Sequence, residues 1–276
     1  MTYRLRGRIV TYFFLTLLAI IVFFPMYWIV RSSFLSLVEI LEFPPIWIPH
    51  TFGLENYTEV MERINFAQYF INTLMIIVPV MIGVALTSSL TAYGFARLEF
   101  PLKDFWFTLI IMTILLPSIV TLVPTYIGWS KLQLTNSYWP LIIPAFFGGG
   151  AFNIFLLRQF LMTIPKELDE SAVIDGAGYF AIYLKIIIPL IKPAIVVVLL
   201  FTFVGVWNDF LGQLVYLNDS NKYTVSLGLS TLRGANNTPM NLLMAGTTIM
   251  VMPAVVVFLI GQRYFIEGIA TTGIKG

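Results

Sequence analysis

Three stretches of the chain carry side chains whose types and spacing suit chemistry or recognition. The longest is IPKELDESAVIDGAGYFAIYLKIIIPL, from Ile164 to Leu190, polar at first and apolar again only near Ile186. Pro165 suits a first helical turn, Glu167, Asp169 and Glu170 complement the positive end of a helix dipole, and Gly176 can end the helix in a left-handed conformation. A second short helix over Tyr179 to Leu184 follows. Two helices meeting at a glycine, each roughly 16 Å per ten or eleven residues, make a compact knob able to fill a groove in another protein. A solvated amphipathic loop is the other reading of the same residues. The second stretch is Trp207, Asn208 and Asp209, where a span meets the outside. An aromatic belt residue with two polar neighbours fits there, and the same side chains can stack on an apolar ring face and bond hydroxyls through amide and carboxylate groups. The third is Asn153 beside Gly148, Gly149 and Gly150. A buried amide needs a neighbouring helix or a ligand, whereas the glycines favour close helix packing.

Much other chemistry is excluded. The sequence has no G-x-x-x-x-G-K-[ST], no H-E-x-x-H and no G-x-S-x-G. The cysteine count is zero and His50 is the single histidine, so thiolate nucleophiles, disulfides and Cys or His metal clusters are ruled out. No catalytic residue, metal site or cofactor is expected in the chain itself.

The elements that position these stretches follow from composition. Of 276 residues, 58% are hydrophobic and 11% charged, against about 25% charged in soluble domains; mean hydropathy is +0.88. With 24 Phe, 13 Tyr and 6 Trp, apolar side chains outnumber the sites of one core, so many must face lipid. The expected class is an all-α integral membrane protein. A net charge of +2, with both signs spread along the chain, leaves no basic surface for nucleic acid.

Six runs are long enough to cross a bilayer, at residues 9–30, 70–96, 105–126, 138–157, 186–206 and 242–261. The first is too long for a signal-peptide core and lacks a small-residue cleavage site, so it is expected to stay as a span. With the N-terminus inside, eleven Lys and Arg fall on the cytoplasmic side and five outside, which predicts a multi-pass protein of the cytoplasmic membrane with both termini inside. The outer loop before span two, carrying Glu39, Glu42, Glu55, Glu59, Glu62, Pro44, Pro45 and Pro49, reads as an ordered cap with short helices. No second folded domain is expected in 1–276. Nine prolines lie in or at the ends of spans and tend to kink them. The spans hold almost no ionisable side chain, unlike ion-coupled carriers, so any energy source belongs to a partner.

At 164–190 a resemblance appears. Glu170-Ser171-Ala172, three residues, Gly176, nine residues and Ile186-Ile187-Ile188-Pro189 resemble the loop E-A-A-x3-G-x9-I-x-L-P of ABC importer permeases, departing at Ser171 and Ile188. TAYGFARLEFPLKD (Thr91 to Asp104), the loop from Trp207 to Leu229 and the tail from Gln262 to Gly276 are similar to the carbohydrate, maltose-type six-span subunit. The resemblance implies a type I importer fold in which the loop 164–185 is a coupling helix docking into a cytoplasmic ATPase. Glu170 would be the acid meeting a basic group there, Ala172 the close-packed face, Gly176 the bend and Asp175 a second polar contact, with Glu167 and Ser171 in the same helix. It further implies a second homologous permease, an ATPase dimer that holds the ATP and magnesium, an extracytoplasmic solute-binding protein and a sugar substrate, passed by alternating access along a path to which Asn153, Trp207, Asn208 and Asp209 are assigned. The alternatives are a permease for another solute, such as a polyol or a glycerol phosphodiester, and a secondary carrier.

Overall fold

The computed structural model describes residues 2–233 and 238–272, with side chains over 7–233 and 238–264. The end of the tail, Lys275 included, lies outside the described residues, as do the side chains of Arg4 and Arg6. All regular structure among the described residues is helical. In order the α-helices are α1 (Thr2–Ser32), α2 (Leu37–Leu41), α3 (Glu55–Arg63), α4 (Phe66–Arg97), α5 (Lys103–Met112), α6 (Ser118–Lys131), α7 (Trp139–Ile142), α8 (Ala151–Met162), α9 (Glu167–Ile174), α10 (Tyr179–Ile182), α11 (Ile188–Leu190), α12 (Lys192–Trp207), α13 (Leu211–Tyr216), α14 (Val225–Ser230) and α15 (Met240–Thr272).

Four segments are long and apolar enough to cross a membrane: Gly7–Ser32, Phe66–Arg97, Trp139–Met162 and Met240–Tyr264. The other two expected spans are sharply bent. Lys103–Leu115 and Ser118–Lys131 meet at 100°, and Tyr179–Leu190 and Lys192–Trp207 at 75°. The first break falls at Pro117, which lacks an N–H and sits extended at ψ 131°, so no helical bond crosses it. Prolines 25, 79 and 253, by contrast, lie inside unbroken helices.

The chain divides into two compact units. In the first, residues 1–67 and 228–252, apolar side chains along α1 are exposed over 7–25, an arrangement stable only against lipid or another apolar surface. The short helices expected between spans one and two are present as α2 and α3. Ser36 and Glu39 form a capping box on α2, Asn56 donates to the carbonyls of Ser33 and Leu35, both at 2.9 Å, and Asn241 donates to Asn56 at 2.7 Å.

The second unit, residues 68–227 and 253–276, holds the main core. Side chains from α4, α8, α12 and the 164–191 segment pack together, among them Ile76, Val84, Tyr93, Leu157, Leu161, Ile187 and Val198. Span four is not one continuous helix. Gly148, Gly149 and Gly150 have φ of 89°, 67° and 94°, a left-handed run that interrupts it before α8. A Cβ on Gly149 would meet Ser88 Cβ at 2.9 Å and the Val84 carbonyl at 3.0 Å. The three glycines turn the chain, and Gly149 lets it lie against α4.

Candidate functional site

Local bonding builds the knob at 164–185. Helix α9 starts after Lys166, whose carbonyl accepts from the amides of Asp169 (2.9 Å) and Glu170 (3.1 Å). Glu167, Asp169 and Glu170 occupy the first turn, where the exposed amides of a helix start favour acids. At the other end Gly176 has φ +83°, its N–H donates to Val173 O at 3.0 Å, and Ala177 N–H donates to Ala172 O at 2.9 Å. These two bonds form a Schellman close, which satisfies the last carbonyls and requires a left-handed residue at Gly176. The chain then turns through Gly178 into α10. The second short helix expected over Tyr179 to Leu184 is present, but it does not stop: a π-helical turn at Tyr183–Ile187 carries it into α11, and the bend comes only at Ile191.

The expected coupling residues sort by exposure. Glu167, Glu170, Ser171, Asp175 and Gly176 are exposed, together with the apolar Val173, Ile174, Tyr179 and Phe180, whereas Ala172 is buried against the core. Ser171 returns its hydroxyl to Leu168 O at 3.0 Å, so serine where alanine is the pattern is absorbed by the helix itself. Three ion pairs occur among the described residues, Arg63–Glu59, Arg97–Asp169 and Lys103–Glu99, and Glu170 is in none of them. An exposed acid beside exposed apolar groups can seat in a cleft offering a cation.

The bonds that hold the knob in place come from the end of span two. Arg97, the last residue of α4, places Nε 2.7 Å from Asp169 Oδ2, with the two side chains only 5% and 15% exposed. Its Nη2 donates to Ile164 O at 2.8 Å. Burial pushes the Asp169 carboxyl above the usual aspartate value, offset in part by the Arg97 charge. One turn earlier Tyr93 donates its hydroxyl to Tyr179 O at 3.2 Å, and one turn before that Ser89 Oγ lies 2.8 Å from the Tyr183 hydroxyl. A sequence signal existed in the 89, 93, 97 spacing, which sets polar groups on one helix face.

The residues assigned to a solute path lie on α8 and at the end of α12. Asn153 sits in the first turn of α8, and its Nδ2 donates to Gly149 O at 2.7 Å. Trp207 is 1% exposed. Its ring stacks on Phe203 (5.7 Å, 12°) and meets Phe70 edge-on at 5.9 Å, so it is packed as a core residue rather than laid at a surface. Asn208 is exposed and donates to Val204 O at 3.0 Å. Asp209 Oδ1 accepts from Gly212 N–H at 3.0 Å at the start of α13, and burial pushes its carboxyl up.

Residues 85–271 match the family model described as "Binding-protein-dependent transport system inner membrane component". The chain is 30% identical to the arabinooligosaccharides transport system permease protein AraQ of Halalkalibacterium halodurans, over 94% of this chain and 93% of that protein. It is 34% identical to the sn-glycerol-3-phosphate transport system permease protein UgpE of Rhizobium meliloti, over 92% of each. A crystal structure of a bacterial ABC transporter involved in the import of the acidic polysaccharide alginate contains a chain of the same fold, with TM-score 0.81, 22% identity, and 95% of this chain and 97% of that one covered.

Proposed function

This chain belongs to the binding-protein-dependent transport system inner membrane components, a family of multi-pass membrane subunits of ABC importers, and from that membership we propose that it is the permease subunit through which a cytoplasmic ATPase drives a sugar or oligosaccharide inward. The observation that carries this reading is the knob: an exposed, acid-bearing helix, closed at Gly176 and fastened to the end of span two. The family placement sets aside the secondary carrier.

The six spans, two of them bent, act as one transmembrane domain over 1–276, with both termini and the knob in the cytoplasm, in line with the eleven-to-five distribution of Lys and Arg. A related second permease completes the cavity, and an extracytoplasmic binding protein delivers the solute. ATP and magnesium sit on the paired ATPase. When the ATPases close, the knobs follow and the spans exchange an inward-facing cavity for an outward-facing one as rigid bodies. Glu170 fixes register in the ATPase cleft, assisted by Glu167, Ser171, Asp175 and Gly176, while Ala172 packs the knob onto its own subunit. Likeness to AraQ supports a carbohydrate, as do spans in which the only charged side chain is Lys192, since a neutral solute asks for hydroxyl partners rather than counter-ions. Asn153, Asn208 and Asp209 offer such partners, and Trp207 braces the turn that carries the last two.

Glu170→Arg and Gly176→Pro test the reading. Both variants should insert and assemble but lose uptake, with ATP hydrolysis no longer following delivery of solute. Normal uptake in both would overturn it.

A further inference from the structure

A buried ion pair is a costly way to fasten a loop, because desolvation takes back much of the attraction. An arginine at the cytoplasmic end of a span can reach water along its own stem. Arg97 does not: its guanidinium turns inward onto Asp169 and the Ile164 carbonyl. Both Asp169 oxygens are buried; Oδ2 faces the Arg97 guanidinium, and Oδ1 has no hydrogen-bond partner. Arg97 is also the last rung of a ladder. Ser89, Tyr93 and Arg97 stand four residues apart on α4, and each holds a different part of the 164–185 segment: Ser89 the Tyr183 hydroxyl, Tyr93 the Tyr179 carbonyl, Arg97 the start of α9. The Tyr93 and Tyr183 rings close the middle at 5.4 Å between centroids.

We propose that span two is the arm on which the coupling knob is mounted, and that Arg97 and Asp169 are positioning residues that make α4 move with the knob. Spans four and five share the apolar core with the knob and join it at the Ile164 turn and the Ile191 bend, while α4 adds polar bonds to both of its helices. The inference rests on the coupling role proposed above. A rigid link through two discrete elements is what transmission between sites requires, and a bidentate-capable guanidinium fixes orientation where an ammonium would not.

The test uses the assembled importer, with its ATPases, second permease and binding protein, in lipid nanodiscs. Since the chain has no cysteine, cysteines placed at Leu86 on α4 and at the exposed Leu168 on α9 are the two spin-labelled sites of this subunit. The expected result is one narrow distance distribution, the same without nucleotide and with ATP trapped, that broadens in Asp169→Asn. Uptake in Asp169→Asn and Arg97→Gln should fall about tenfold, while the exchanged pair Arg97→Asp with Asp169→Arg recovers most of it and Arg97→Lys alone recovers little. A Leu86–Leu168 distance that changes between the two nucleotide states in the otherwise unaltered protein would overturn the proposal, as would an exchanged pair no better than the single variants. Normal uptake with both Glu170→Arg and Gly176→Pro would instead overturn the coupling role itself, so the two failures are told apart.

Discussion

Replacing Gly149 with alanine probes the close approach of span four to α4. Gly149 has φ +67°, a conformation that costs an ordinary L-residue about 1–2 kcal/mol. The new methyl would lie 2.9 Å from Ser88 Cβ, 3.0 Å from Val84 O and 3.1 Å from Ser88 N. Two of those three are backbone atoms of α4, which cannot swing aside, so an overpacking cost of about 1–3 kcal/mol is added. Together they give about 2–5 kcal/mol, and at about 2–4 °C per kcal/mol for a chain of this size the midpoint should fall by roughly 5 °C or more. Gly205 in α12 is the control, because a Cβ there meets nothing within 4 Å; its alanine should be neutral or stabilising by about 0.5–1 kcal/mol. Thermal unfolding of both variants in mild detergent, followed by size-exclusion fluorescence, reads the difference. Equal midpoints would refute the reasoning.

Gly176 differs from Gly149 in having open space around its Cβ position, so only its φ of +83° resists substitution. Gly176→Asn, which visits the left-handed region readily, should keep most uptake, while Gly176→Val should lose it at a conformational cost of about 1–2 kcal/mol; transport assays on the two variants check the order. Trp207→Ala should cost about 3–5 kcal/mol of stability, as expected for a large buried ring, and Trp207→Phe far less, with solute affinity following stability rather than ring identity. Asp209 has its folded pKa above its unfolded value, so its contribution is full below the ordinary aspartate value and is lost as pH rises through the raised one. Asp209→Asn keeps an acceptor for Gly212 and should flatten that pH dependence in melting midpoints, whereas Asp209→Ala should flatten it and also lose the cap.

Six long apolar runs and the position of Gly176 were legible because hydrophobic length and a left-handed stop are local properties of sequence. The bend at Pro117 was not. Pro25, Pro79 and Pro253 sit in helices that continue past them, so a missing donor does not by itself break a helix; the surroundings of each proline decide. Asp169 was legible as an acid suited to a helix start, and its exposed neighbour Glu170 conforms to that reading. Its pairing with Arg97 was hidden because the partner lies far upstream, at the end of another span. Trp207 was open between a belt position and a sugar platform, and packing against Phe203 and Phe70 puts it in the core instead. Close packing at the glycine run holds at Gly149, while the all-positive φ values of 148–150, which interrupt span four, needed coordinates.

The central claim is tested most directly by purifying the tagged chain from its native membrane in mild detergent, identifying what co-purifies, and measuring ATP hydrolysis with binding protein and candidate sugars. The account predicts a P-loop ATPase and a second permease in the complex, with hydrolysis stimulated by one class of sugar and lost with Glu170→Arg. A chain that purifies without any ATPase would contradict it.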